Sequence, residues 1–279
     1  MRILLSTVFL ASAIAGGAVH AEPTVEVVTR EDFELIPLNP LRGDASPKAG
    51  VLWGDLRQDV PTGALIQFAD GFSSPPHIHN ITYRAVVIEG AVHNDDPDAA
   101  MFWMEPGSYW TQPAGETHIT AVGPGGGMAF LEIESGPYLL QPADEEFDNG
   151  ERPVNIEARN VVWLTAEDTT WVIDDGENAD PEIAFLWGQP SDGQRNGTFL
   201  RLPVGHQSRL ETSGAALKMV LVAGALEHAS GELARVRSLT PGSYIGSTGD
   251  VAHDIACIST EPCLLYVSAT GTYQVTSAQ

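Results

Sequence analysis

Residues 71–90 read GFSSPPHIHNITYRAVVIEG, a Gly/Ser/Pro turn followed by an apolar run with two histidines at its entrance. In an extended strand residues i and i+2 share a face, so His77 and His79 aim their imidazoles the same way. Two imidazoles on one wall are half of a metal site. Residues 107–118, GSYWTQPAGETH, supply the other half. There Pro113 and Gly115 punctuate a turn that delivers His118 on another strand.

These two runs carry a family resemblance. The chain resembles the cupin superfamily, whose first motif is G, five residues, H-x-H, three or four residues, E, six residues, G. Gly71, His77, His79 and Gly90 fit it, with Tyr83 where the family has Glu. The second motif is G, five residues, P-x-G, two residues, H, three residues, N. Gly107, Pro113, Gly115 and His118 fit, and Val122 departs at the Asn. The wording around the motifs is most similar to a secreted two-cupin family of unknown function. The resemblance implies an all-β fold of two tandem jelly-roll antiparallel β-barrels and a metal held by His77, His79 and His118. It names no reaction.

The N-terminus carries Arg2, an apolar run over residues 3–18 and then Val19-His20-Ala21, an A-x-A-like cleavage site. Residues 1–21 therefore read as a signal peptide, too short in apolar length for a membrane span, and the chain as exported to the periplasm or secreted. Acidic residues outnumber basic ones 37 to 14, a net charge of −23. A nucleic-acid or anionic-membrane surface needs the opposite sign, so neither is expected as a partner. Cys257 and Cys263 flank a turn, Ser259 to Pro262, and export permits a disulfide across it.

From Glu22 onward apolar runs are short and turn signals recur, an all-β pattern. Two short turns of helix are expected at Glu31-Asp32 and Glu167-Asp168. Leu52-Trp53-Gly54 recurs 134 residues later as Leu186-Trp187-Gly188. At the same offset Gly63, Gly71 and Gly90 match Gly197, Gly205 and Gly224, and at an offset of 135 Pro106-Gly107-Ser108-Tyr109 returns as Pro241-Gly242-Ser243-Tyr244. The chain reads as two copies of one barrel. The expected domains are 22–145, with the metal site, and 146–279, degenerate, joined by an acidic linker from Gln141 to Pro153. Through the offset His77 maps to Glu211, His79 to Ser213, Tyr83 to Leu217 and His118 to His253, a poor transition-metal set. A Glu211/His253 site assisted by His206 is the sharper alternative. Fused barrels often pair again, so a homodimer is expected.

Three neutral imidazoles suit a divalent transition metal and leave coordination positions open, the mark of a catalytic site. Export favours Zn or Cu, with Fe, Mn and Ni also compatible. Tyr83 reads either as a catalytic residue, coordinating or hydrogen-bonding substrate, or as a packed barrel aromatic. Glu116, two residues before His118, is the candidate acid or base. His93 reads as an exposed loop histidine, with a fourth metal ligand as the alternative, and Glu132 and Glu134 read as solvent-facing carboxylates. Trp103, Tyr109 and Trp110 are candidate pocket walls. No nucleophile elbow, phosphate loop or dinucleotide fingerprint is present. Two functions stay open: a metal-dependent oxygenase-, lyase- or isomerase-like enzyme on a small oxygenated or anionic substrate, and a non-catalytic binder of metal or small ligand.

Overall fold

The computed structural model describes residues 22–173, 181–191, 193–212, 216–233 and 235–278. The expected signal peptide and Ser213 lie outside them. Strands dominate, and the three helical segments are short 3-10 turns at Pro40–Ala45, Ala143–Glu145 and Ala158–Asn160. None coincides with the two turns expected at the Glu-Asp pairs. There Asp32 and Asp168 instead accept from the backbone N–H of Thr29 and Thr165 and close non-helical turns. No helix among the described residues is long and apolar enough to cross a membrane.

The fold is a pair of jelly-roll sandwiches. In the first, strands Val154–Ile156, Tyr109–Gln112, Tyr83–Glu89, Gly127–Ile133, Thr62–Phe68, Lys48–Trp53 and Ile36–Pro37 form one antiparallel sheet in that order. In the second, Thr24–Val28, Tyr244–Thr248, Leu217–Ala223, Cys263–Thr270, Arg195–Leu202 and Glu182–Gly188 repeat the arrangement. Each sheet takes its edge strand from the other half of the chain, covering an edge that would otherwise stand open. Just past each exchanged strand the crossing chain is caught by a serine. Arg30 N–H donates to Ser243 Oγ and Ala158 N–H to Ser108 Oγ, at 3.1 and 3.0 Å. These are the serines of the repeated Pro-Gly-Ser-Tyr motif.

Alternation divides each strand of these sheets between two cores. In Tyr83–Glu89, Tyr83, Ala85 and Val87 point into the first sandwich. Val86 and Ile88 point at the second, joining Leu65, Phe130, Phe199, Val220 and Tyr266 in a shared core. The repeated Leu-Trp-Gly motif belongs to this interface. Trp53 lies across Gly63, and Trp187 across Gly197, where a Cβ would collide with the indole.

Glu132 sits in the same interface and is fully buried. Its carboxylate accepts from Arg195 Nη2 at 2.9 Å, Tyr266 Oη at 2.7 Å and Ser268 Oγ at 2.9 Å, all from the other sandwich. The expectation of a solvent-facing Glu132 fails because the outer face of this sheet meets protein, not water. Glu134 stays partly exposed and pairs with Arg195 at 3.1 Å.

The opposite sheet of the second sandwich is continuous, running Val172–Ile173, Tyr273–Ser277, Gln207–Thr212, Ala252–Cys257, Leu226–Ser230, Arg237–Leu239. In the first it is broken into the pairs Leu140–Pro142 with His77–His79 and Val92–Asp95 with Ile119–Val122. Bridges from His77 to His118 and from Ser73 to Ala121 span the break. The expected linker therefore starts too early: Gln141 and Pro142 are paired strand residues on the histidine strand. Cys257 and Cys263 are joined by a disulfide across their hairpin.

Candidate metal centre

His77 and His79 come from one three-residue strand, and His118 stands opposite His77, each N–H donating to the other's carbonyl at 3.0 Å. Gly115 ties the motifs together, donating its N–H to His79 O at 2.8 Å. Its φ of +77° and the closeness of Phe147 O leave no room for a Cβ. One ring nitrogen from each of the three histidines lies within 4.8 Å of the others, and all three residues are buried.

Which nitrogen faces the centre follows from the partners. His77 Nδ1 meets Pro75 O at 2.9 Å, His79 Nδ1 meets Leu139 O at 2.9 Å and His118 Nδ1 meets Glu116 O at 3.1 Å. A carbonyl only accepts, so each Nδ1 carries the proton and each Nε2 presents its lone pair. Burial lowers the pKa of all three, His118 to about 3, and the neighbouring histidines add to the shift at His79 and His118. They are neutral and oriented, the state in which imidazole binds a metal. The donor set fits a divalent transition metal on these grounds.

Around the histidines runs a network that the sequence reading does not contain. Tyr83 Oη donates to Asn94 Oδ1 at 2.9 Å and lies 3.5 Å from His118 Nε2. Thr120 Oγ1 donates to the same oxygen at 2.8 Å. Asn94 Nδ2 donates to Gln112 Oε1 at 2.8 Å, and Gln112 Nε2 donates to Glu116 O at 3.1 Å, the carbonyl that orients His118. Burial raises the Tyr83 pKa to about 12, so its phenol keeps its proton at neutral pH. Trp110 Nε1–H lies near this hydroxyl and favours charge on it, but is not aligned as a hydrogen bond and is left without an acceptor. Tyr138 stacks on His79 with ring centroids 4.3 Å apart, and its Oη donates to His79 Nε2 at 3.1 Å.

Tyr83 thus lies beside His118 while its ring packs in the first core. Glu116 brings its backbone carbonyl, while its carboxylate is not among the groups lining the cavity beside them. His93 is buried, not exposed, and takes no part in the centre. Its strand, Val92–Asp95, turns Asn94 inward and His93 outward beneath Trp103. Of the candidate aromatic walls only Trp110 lines the cavity; Tyr109 belongs to the inter-sandwich core. Tyr138 gives no signal in sequence, because it follows a Gly-Pro turn outside any periodic run.

The second sandwich has no comparable cluster among its described residues. Leu210 stands opposite His253 as His77 stands opposite His118, so the strand register differs by one from the sequence offset. Glu211 is thereby turned outward to Arg209, and the Glu211/His253 site does not form. His206 lies apart, beside Ser277. His253 is held by His228 Nε2 and Ser247 Oγ, each at 2.9 Å. Burial lowers His228 to about 3 and His253 to about 4.

That pair makes an acid-stability prediction. The unfolded chain takes up protons near pH 6.5 that the folded pair refuses, so stability is full above that value and is lost as pH falls towards 4. The expected slope is about 1.4 kcal/mol per pH unit for each histidine. Urea denaturation midpoints from pH 7.5 to 4.5 read it, and a flat profile contradicts it.

The cavity beside the histidines has a volume of about 690 Å³ and lies between the two sheets of the first sandwich. Its walls include Ile66, Phe68, Phe72, Trp110 and Leu131, with Arg42 among the lining residues and no Asp or Glu.

A family model described as Domain of unknown function (DUF4437) matches residues 26–276. A search of curated proteins finds no match. Among solved structures, a proposed dioxygenase from Nostoc punctiforme superposes with a TM-score of 0.61 at 14% identity, covering 94% of this chain and 87% of that one. Oxalate decarboxylase from Bacillus subtilis, described with Mn(II) centres, gives 0.52 at 14% identity over 94% and 80%. The 7S globulin of Momordica charantia gives 0.52 at 12% over 89% and 85%. At these identities the likeness shows the cupin-type jelly-roll fold, which these three proteins use for different ends.

Proposed function

The chain belongs to the DUF4437 family, and from that premise we propose that it is an exported metal-dependent enzyme acting on a small oxygenated or anionic molecule. One observation carries the reading: three backbone carbonyls hold three buried imidazoles with their Nε2 lone pairs converging. His77, His79 and His118 would hold the ion, which supplies Lewis acidity towards a carbonyl, enol or carboxylate oxygen. The three imidazoles are neutral and Tyr83 keeps its proton, so the protein contributes no charge to offset that of the ion. With an ion held on His79 Nε2, Tyr138 Oη would be free to donate to the bound molecule. Tyr83 is fixed by Asn94 with its oxygen turned to the site. The apolar walls exclude water. The apolar segment over residues 3–18 supports export, and the affinity order outside the cytoplasm favours Zn or Cu.

The test is elemental analysis of protein purified from the exported fraction, beside a His77→Ala/His118→Ala variant. About one Zn or Cu per chain is expected, and none in the variant. Equal metal in both, or none in either, removes the reading. A second reading, a non-catalytic binder, draws on the lack of any carboxylate among the described residues lining the cavity. Turnover of a compound that occupies the cavity decides against it.

A further inference from the structure

We propose that the cavity of the first sandwich selects a predominantly apolar organic anion, its oxygens at the histidine centre and its apolar body against Phe68, Phe72, Trp110 and Leu131. The inference rests on the metal-centre reading above and adds the substrate class to it.

Three observations carry it. The first is size and lining. A space of about 690 Å³ suits a ligand well beyond a two-carbon acid. A dianion as small as oxalate would leave Ile66, Phe68, Phe72 and Leu131 facing water. The rim continues the apolar surface: Leu38 and Leu140 line the cavity while remaining 47% and 66% exposed. Such an edge suits a ligand that keeps apolar surface in contact as it enters.

The second is sign. The chain has 37 acidic residues to 14 basic ones, yet no acid lines this cavity and one arginine does. Arg42 is exposed where the cavity meets solvent, on the 3-10 turn Pro40–Ala45, with its guanidinium 5.5 Å from the Phe72 ring centroid. No carboxylate forms an ion pair with it among the described residues. A cation left unpaired on so acidic a surface draws anions to one opening.

The third is an orphaned donor. Trp110 Nε1–H is buried in the wall beside Tyr83 and makes no hydrogen bond. A buried donor without an acceptor is costly unless a ligand oxygen completes it.

The experiment compares phenylpyruvate with two partial probes that each lack one of its groups, binding to the mature zinc-loaded protein by calorimetry. Phenylpyruvate has the apolar body, the carbonyl and the anion; pyruvate lacks the apolar body, and benzyl methyl ketone lacks the anion. Phenylpyruvate is expected to bind at least tenfold more tightly than either partial probe. Arg42→Gln, at an exposed position that leaves the core intact, is expected to weaken phenylpyruvate about three- to tenfold and leave the neutral ketone unchanged. If zinc is bound but phenylpyruvate and pyruvate bind equally, or the ketone matches the acid, the inference fails and the metal centre stands. If the protein takes up neither zinc nor copper, both fall.

Discussion

Replacing Glu132 by Ala is expected to lower unfolding stability by about 3–5 kcal/mol, the cost of breaking a buried, hydrogen-bonded ion pair from one side. Glu132 is fully buried and accepts from Arg195, Tyr266 and Ser268 of the opposite sandwich. Removing it strands two hydroxyl donors and leaves the half-buried Arg195 guanidinium with the exposed Glu134 alone. Tyr266 Oη is also the acceptor for Trp187 Nε1 at 2.8 Å, so the disturbance reaches the repeated Leu-Trp-Gly motif. Glu132→Gln keeps the shape and one accepting oxygen and is expected to cost less than half as much. Urea unfolding of the three proteins measures both. A loss below 1 kcal/mol in the alanine variant would show that the carboxylate contributes little to joining the halves.

Asn94→Leu is the second large effect. Asn94 Oδ1 accepts from Tyr83 and Thr120, and Asn94 Nδ2 donates a hydrogen bond to Gln112 Oε1. Leucine of similar size leaves three buried polar groups without partners, at roughly 1–3 kcal/mol for each left unsatisfied. A total of about 3–9 kcal/mol is expected. Metal affinity is expected to fall about 10–100-fold, because Gln112 and the Glu116 carbonyl that orient His118 lose their anchor. Tyr83→Phe separates packing from chemistry. It removes one donor to an oxygen that Thr120 still satisfies, so stability and metal content should change little. Loss of turnover in that variant would then assign the reaction to the hydroxyl. Equal metal affinity in Asn94→Leu and wild type would remove the network from any role at the centre.

The histidine triad was legible because its chemistry is written at fixed spacing. His-x-His shares a face in any strand, and Pro-x-Gly demands a turn before His118. The surrounding network was not, because its members are ordinary residues whose inward direction depends on register. Asn94 and His93 exchange roles on a shift of one residue, and only the pairing of Val92–Asp95 with Ile119–Val122 fixes which points in. The same one-residue effect misplaced Glu211. Glu132 shows the other limit. Alternation places it opposite Leu131 and Ile133 but is silent about whether the far face meets water or a second sheet. The repeat held that information in another form: its recurring Trp-Gly pairs and Pro-Gly-Ser-Tyr turns are the residues that build the shared interface.

The exchanged edge strands also set an order of events. Thr24 pairs with Thr248, 224 residues further on. During synthesis the strand Thr24–Val28 therefore has no partner until nearly the whole chain has been made. The first half can collapse around its own core meanwhile, but it lacks the edge strand Val154–Ile156 until the second half has begun to emerge. Neither half cut at residue 145 carries its edge-exchanged sheet whole. Fragments produced by early termination or proteolysis would each expose an unpaired edge, the kind of surface that recruits another chain.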